Sequence, residues 1–496
     1  MAPPSSLRVL DDDLDGHVLL PGDPGYDEAR TVWNAMIDRR PRLIVRAASV
    51  GDVVTAVRTA RELDLELGIR CGGHSVVGQA VPEDGLMLDL TPFGAVRVDP
   101  TARRAWVQGG ALLGALDAAS QPHGLATTAG NVSHTGVGGL TLGGGMGWLA
   151  RQYGLSCDNV VSFELVTAAG EMVRASADEN PELFWGLRGG GGNFGVVTEF
   201  EFVLHPVGTQ ALLVELDLPV GAAGAAEVVR GWRDLSETAP RAATFTLGIT
   251  TDDDGREVVT VGYVWVGDPD EGQALLPALR ALGPAAGVAL EERVRPMTYL
   301  DLQRIDDTVR GHEKRRYWKG HYLRSLPDEA VDLLLARGVD RSNGDAGGTG
   351  GDVPVDLLPN VSLQAYGGAI AEVPDDATAF SHRATRFEFV ASKGWTDPAD
   401  DAAVMAAARR CAAAIEPFAS GVYVNVLSDE EGETGVRRAY PPAKLARLVA
   451  LKDRYDPDNV FHLNHNIRPS AGSTGSAASE AAAVDHGSTS PPGSHS

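Results

Sequence analysis

Several large classes of protein are excluded by what this chain lacks. Among its 496 residues are only three cysteines, Cys71, Cys157 and Cys411. They are odd in number and far apart, so neither a disulfide framework nor a zinc-like Cys/His cluster is present, and no metal site is expected. Positive charge is scarce: 43 Lys and Arg stand against 67 Asp and Glu, a net charge of -24. That balance opposes a nucleic-acid backbone or an anionic membrane surface as partner. No apolar run approaches the ~20 residues that a membrane helix needs. The opening Met1-Ala2-Pro3-Pro4-Ser5-Ser6, before Asp11-Asp12-Asp13, has neither the basic nor the apolar stretch of a secretory signal, so the expected location is cytoplasmic. With 43% apolar and 22% charged residues the composition is that of a soluble globular protein. Glycine is plentiful, at 59 residues, and it is clustered.

At this length two domains are expected. Between residues 41 and 206, short β-branched runs alternate with helical ones. Residues 43–45 read as a strand, 50–63 as an amphipathic helix, and 66–70 as a strand entering a glycine pair. Further strands are expected at 86–90, 96–98, 105–107, 160–166 and 196–204, and a helix at 111–119. From about 208 to 415, strands at 211–216, 244–249 and 258–266 alternate with Ala/Leu-rich helices at 223–232 and 272–282. This pattern implies an antiparallel sheet backed by helices. Residues 342–352 read as a loop, 442–467 hold a helix, and 469–496 read as a disordered tail. The fold class expected is α+β.

Four glycine segments carry the chemistry. They are Arg70-Cys71-Gly72-Gly73-His74-Ser75 with Gly78 behind it, Gly130 to Gly145, Gly154-Leu155-Ser156-Cys157-Asp158-Asn159, and Arg188 to Gly195. Repeated glycines suit a diphosphate gripped by main-chain N–H groups. A nicotinamide-type Rossmann turn is the competitor, and spacing decides against it. Gly136-x-Gly138 meets Thr141 where a third glycine is required. Gly190-x-Gly192-x-x-Gly195 fits the pattern but follows a helix-like run and precedes a strand, the reverse of the fingerprint. No cluster carries a Walker lysine.

With these segments in view, the chain resembles the berberine bridge enzyme-like oxidases of the vanillyl-alcohol oxidase/p-cresol methylhydroxylase flavoprotein superfamily. The residues that carry the resemblance are Arg70–Ser75, Ser133-His134-Thr135-Gly136-Val137-Gly138-Gly139-Leu140, Gly154–Asn159, Arg188–Thr198 and Tyr455-Asp456-Pro457-x-Asn459-x-Phe461-x-x-Asn464-x-Asn466-Ile467. The resemblance implies an FAD-binding domain in two parts, residues 28–207 and a C-terminal return at 416–468. A substrate-binding domain, 208–415, is inserted between them, and an N-terminal extension spans 1–27. It implies FAD bonded covalently to His74. The other cofactor residues it implies are Arg70, Gly72, Gly73, Ser75, Gly78, Ser133, Thr135, Gly136, Gly138, Gly139, Leu140, Asn159, Gly192, Asn193, Gly195, Val197, Asn464 and Asn466. Many relatives add a second tether from a cysteine at the place Val132 occupies here, so a single link is expected. Cys157 reads as a packing cysteine.

The resemblance also points to residues 421–426, read as a strand. Plant relatives carry there a Tyr-x-Asn-Tyr whose second tyrosine handles a proton; this chain has Val426 in that position. Tyr423 is therefore the expected proton-handling residue, with Asn425 beside it by the period of two. Tyr366 and His134 are further catalytic candidates, the latter either near the flavin edge or as a brace of its loop. Trp318, His321 and Gln364 are candidates for substrate contact. The expected activity is oxidation of a C–H bond in an alcohol, sugar, amine or polyketide-type molecule, with O2 converted to H2O2, by a monomer or homodimer. Two alternatives stay open: a flavin enzyme that inserts oxygen, and a flavoprotein that sequesters a drug-like molecule.

Overall fold

The computed structural model describes residues 9–252, 254–308, 311–339 and 354–470. The loop expected at 342–352 and nearly all of the tail lie outside them.

The helix Val50–Glu62 starts where Ser49 and Asp52 cap each other reciprocally, satisfying two amide groups that the first turn leaves free. Its face of Val53, Ala56, Val57 and Ala60 is buried over a four-stranded sheet ordered His17–Leu19, Leu43–Arg46, Leu86–Asp89, Leu67–Arg70. The last three strands are parallel, as a helical crossover requires. A second sheet runs Val96–Asp99, Arg104–Gln108, Val196–Val203, Val160–Val166, Met172–Ser176, entirely antiparallel. The glycine segments are the connections around these sheets.

A larger antiparallel sheet of eight strands follows, ordered Glu291–Thr298, Gln210–Pro219, Glu257–Val266, Ala243–Thr251, Asn360–Ala365, Phe387–Trp395, Arg315–Leu323, Ala419–Gly421. The helices Ala225–Thr238, Asp328–Ala336 and Asp401–Ile415 cover one face, where Trp232, Val331 and Ile415 pack with Leu212, Phe245 and Phe389 in one core. The opposite face, from Ser362 to Ser392, turns toward the glycine segments. The mixed helix-and-sheet class is thus observed, with an antiparallel sheet backed by helices.

Two expected elements differ. The helix expected at 272–282 is three short pieces, Pro269–Gln273, Leu276–Arg280 and Leu282–Ala286, because Pro277 offers no N–H to continue a helical ladder. The strand expected at 421–426 stops at Gly421, and Val424–Val426 is a 3-10 turn. Tyr423 is drawn inward there, its hydroxyl accepting from the Gly145 N–H at 2.9 Å. Alternation along a strand therefore does not pair Tyr423 with Asn425; a direct hydrogen bond does, Asn425 Nδ2 donating to the Tyr423 hydroxyl at 3.0 Å.

The C-terminal helix Pro442–Tyr455 delivers a buried ion pair. Lys452 and Asp456 are wholly inaccessible to solvent and 2.7 Å apart. The ammonium also donates to the carbonyls of Asn193 and Phe461, and Asp456 accepts from the amides of Val460 and Phe461. The Tyr-Asp-Pro motif is thus a clamp on the Gly192-Asn193 turn, with every hydrogen-bonding group of the charged pair used.

Candidate active site

Between the glycine segments and the open face of the large sheet lies a cavity of about 530 Å³, within the ordinary range for small-molecule sites. Its floor is main chain. Gly72 and Gly136 meet backbone to backbone: a Cβ on Gly72 would lie 2.3 Å from the Gly136 nitrogen. Gly73 has φ +69°, a conformation that glycine adopts without steric cost. Together they aim His74 into the cavity.

The His74 ring is stacked on Trp33, centroids 4.8 Å apart, and the Arg316 guanidinium lies over the Trp33 ring at 3.8 Å. Burial, then His134 and Arg316, pushes the imidazole down to about 3, so His74 is neutral at physiological pH. Its Nε2 lies 2.6 Å from His134 Nδ1, and its Nδ1 lies 3.3 Å from Thr135 Oγ1.

The roof is built by strand register. Gln364 and Tyr322 flank Glu388 on neighbouring strands, Ser362 pairs with Val390, and Trp318 with Ser392. By the period of two these side chains share a face. Glu388 is the only acidic side chain on the cavity wall among the described residues. Burial raises its carboxyl to about 7, against the lowering effect of a hydrogen bond from Tyr366, whose hydroxyl donates to Glu388 Oε2 at 2.7 Å. Asn131 Nδ2 donates to Gln364 Oε1 at 3.4 Å. Asn131 Oδ1 and Gln364 Nε2 are buried without a partner among the described residues.

Of the residues singled out in the sequence, the wall gathers Gly72, Gly73, His74, Ser75, Thr135, Gly136, Gly138, Gly139, Leu140, Gly192, Asn193, Gly195, Val197, Trp318, Gln364, Tyr423, Asn425 and Asn464. Others lie elsewhere. The Arg70 guanidinium donates to the carbonyls of Ala29 and Thr31 and faces Asp89, fastening the N-terminal segment. Gly78, at φ +69°, packs beneath Ile37. The Ser133 hydroxyl is spent on Asp307 at 2.6 Å. Asn159 holds the carbonyls of Tyr153 and Leu155 and meets His205. Asn466 is off the wall. His321 points to the helix-covered face, between the Ala412 carbonyl and Arg438, and does not reach the cavity. Tyr366 stands behind Glu388, and His134 behind His74. Arg383, on the segment behind Tyr366, makes a bidentate ion pair with Asp158 at 2.7 Å.

Glu388, Asn131 and Trp33 are wall residues that the sequence reading missed. In Phe387–Trp395 the glutamate alternates with apolar residues and so reads as solvent-facing; only the covering of that face by the glycine segments turns it into a half-buried group of a cavity wall.

FAD fits this cavity on the protein's own atoms. Gly139 and Gly192 both line it, and a Cβ on either would meet nothing within 4 Å, so room is left where a ligand can lie against the main chain. Asn464 Oδ1, Asn131 Oδ1 and Gln364 Nε2 add buried polar atoms without partners among the described residues, and such atoms seldom persist unless something binds them. Gly139→Ala is accordingly expected to leave the melting temperature of flavin-free protein unchanged while weakening FAD retention about tenfold or more, the scale of 1–3 kcal/mol for overpacking. Equal FAD retention by variant and wild type, read by absorbance after dialysis, would place the cofactor elsewhere.

Residues 41–176 match the family model described as FAD binding domain, and residues 422–468 the model described as berberine and berberine like. An uncharacterized FAD-linked oxidoreductase of Bacillus subtilis is 30% identical, over 92% of this chain and 99% of that protein. The (R)-6-hydroxynicotine oxidase of Paenarthrobacter nicotinovorans is 29% identical, over 92% and 97%. Among solved structures, 6-hydroxy-D-nicotine oxidase from Arthrobacter nicotinovorans superposes with a TM-score of 0.79 at 27% identity, covering 92% of this chain and 98% of that one.

Proposed function

The chain belongs to the berberine bridge enzyme-like FAD-linked oxidoreductases, and we propose that it is an oxidase whose substrate lies between the flavin and the Glu388 face of the large sheet. The cofactor supplies the hydride acceptor and the route of electrons to O2, giving H2O2. What the chain adds is position and proton handling.

The observation that carries this reading is Glu388: a half-buried carboxyl in the wall opposite the glycine segments, pushed up to about 7 by its partial burial. A base is most effective with its pKa near the operating pH. Glu388 takes the proton from the substrate's O–H or N–H as the adjacent C–H gives up hydride. Tyr366 holds the carboxylate by its hydroxyl, and Gln364 with Asn131 offers amide groups to orient the substrate. Tyr423 has a different part from the base expected of it. Its oxygen already accepts from the Gly145 N–H and Asn425, and burial pushes the phenol up, so it keeps its proton and presents it as a donor. Val390, Val426 and Trp318 keep the space dry.

The wall carries neither lysine nor arginine among the described residues. An anionic substrate would find no counter-charge there, so the reading favours an uncharged or cationic amine or alcohol. The name of the nicotine-oxidising relative is in keeping with that.

We place a single covalent tether at His74. Val132 is on the wall where a second tether would need cysteine. Cys71 reaches the wall, but burial raises its thiol to about 11, and a protonated thiol is a poor nucleophile. Cys157 is buried away from the cavity.

Anaerobic mixing with panels of secondary amines, alcohols and sugars, and phenolic polyketides tests the activity: one panel bleaches the flavin, and air then returns colour with one H2O2 per turnover. Labelled oxygen appearing in the product in place of peroxide would make the enzyme an oxygen-inserting one. Ligand-induced spectral change without bleaching in any panel would make it a sequestering flavoprotein.

A further inference from the structure

FAD brings an anionic diphosphate into a cavity whose wall has neither lysine nor arginine among the described residues. Main-chain N–H groups of the glycine segments offer partial charges only, and an anion buried without a paired charge is unfavourable. Two side chains on the wall can become cationic, His74 and His465. The His74 ring is engaged on both nitrogens, by His134 and Thr135, and stacked on Trp33. The His465 ring is not.

His465 is half-buried and is set on the wall by its neighbours. Asn464 Nδ2 donates to the carbonyls of Gly192 and Phe461, and the Ile467 N–H donates to Asn193 Oδ1. The imidazole itself meets only Gln79 Nε2, at 3.4 Å from Nδ1 and 3.5 Å from Nε2. Contacts that long, shared between two ring nitrogens, are weak. Gln79 in turn faces the Ser75 hydroxyl at 3.5 Å. A loose polar chain thus runs from the first glycine segment to an imidazole 386 residues beyond Gln79, and all three side chains line the cavity.

The charges around this ring are already used. Burial pushes the imidazole down to about 4, against the opposing effect of Glu431, whose carboxylate is paired with Lys319 and Arg438. Asp429, on the same turn, acts with Arg39. Arg39 donates to the carbonyls of Gly78 and Val81 on either side of Gln79 and is not on the wall. On the C-terminal segment His462 faces Glu66, and Arg468 faces Glu433. His465 is therefore neutral near pH 7 and able to accept a proton once an anion lies beside it.

We propose that His465 is the counter-charge of the FAD diphosphate: it takes a proton from solvent as the cofactor enters and donates an N–H to a phosphate oxygen. This rests on the reading that FAD lies in this cavity with its diphosphate on the Gly72–Ser75 segment. FAD loading is then coupled to proton uptake. A neighbouring opposite charge raises a pKa by about 1–3. A group whose pKa is raised by the ligand makes binding tighter in acid, and that gain is lost as pH rises through the raised value. With a rise of about 2, FAD should bind about tenfold more weakly at about pH 8 than at about pH 5.

The test uses full-length His74→Ala protein, in which binding is reversible, and reads FAD affinity from flavin fluorescence without any turnover. His74→Ala should show that tenfold loss. Calorimetry in buffers of different ionisation enthalpy should show uptake of most of a proton at about pH 5. Adding His465→Gln, which keeps a polar side chain but takes no proton, should abolish the uptake. The double variant should bind FAD about tenfold more weakly at about pH 5 and equally well at about pH 8, a pattern that a merely structural role would not give. ADP-ribose has the diphosphate without the flavin ring, so its competition with FAD should weaken with pH in the same way. A double variant that keeps the pH dependence, or that loses affinity equally at both pH values, overturns the proposal, as does competition by ADP-ribose that does not change with pH. Failure of His74→Ala to bind FAD at any pH is a different failure, that of the siting of the cofactor.

Discussion

Glu388→Gln is expected to slow reduction of the bound flavin by about 10²–10⁴-fold, the range supplied by a positioned general base, while FAD stays bound. The geometry makes this a near-isosteric change. Glutamine keeps an oxygen to accept from the Tyr366 hydroxyl, now 2.7 Å from Oε2, so the wall keeps its shape and only the proton acceptor is lost. The pH profile carries the same signature. A carboxyl must be ionised to act as base, and burial raises Glu388 to about 7. Flavin reduction in wild type should therefore rise about tenfold per pH unit below 7 and level off above it, and Glu388→Gln should lose that inflection. Tyr423→Phe removes a donor and leaves the base, so its loss should be smaller and the inflection should remain. If Tyr423→Phe abolished the inflection and Glu388→Gln kept it, the two roles would be exchanged.

His74→Ala is expected to convert all of the flavin from acid-stable to acid-released. Main-chain contacts of the glycine segments and the amide of Asn464 remain, so the variant should still bind FAD and lose it slowly on dialysis. Cys157→Ser should leave the linkage unchanged, because that sulfur is wholly buried away from the cavity. Cys71→Ser tests the nearer thiol and is expected to do the same, since its Sγ is engaged with the Ala111 carbonyl.

The local code was readable where it is local. The helix Val50–Glu62, the strands around the glycine segments and the cradle itself could be read in advance, because caps, periodicity and glycine needs are written in neighbouring residues. The sheet-side wall of the cavity was not. Glu388 becomes a half-buried carboxyl of a cavity wall only when the sheet from 210 to 421 is laid over loops from 71 to 195, and no window of sequence contains that covering. His321 shows the same limit from the other side. It shares a strand with Trp318 but sits an odd number of residues away, so the pleat sends it to the helix-covered face. The Tyr423 segment was misread as strand because its β-branched residues favour one, whereas the pull of Tyr423 to Gly145, 278 residues away in sequence, is a tertiary constraint that overrides propensity.

The flavin tether can be examined without any substrate. Purified full-length protein is digested after acid treatment, and its peptides are weighed. The peptide containing both Cys71 and His74 is expected to carry the mass of one FAD, while those containing Val132 or Cys157 carry none; fragmentation assigns the adduct to the imidazole. An adduct on any other residue, or unmodified His74 in a protein that is yellow when native, would contradict a flavin tethered in this cavity by His74.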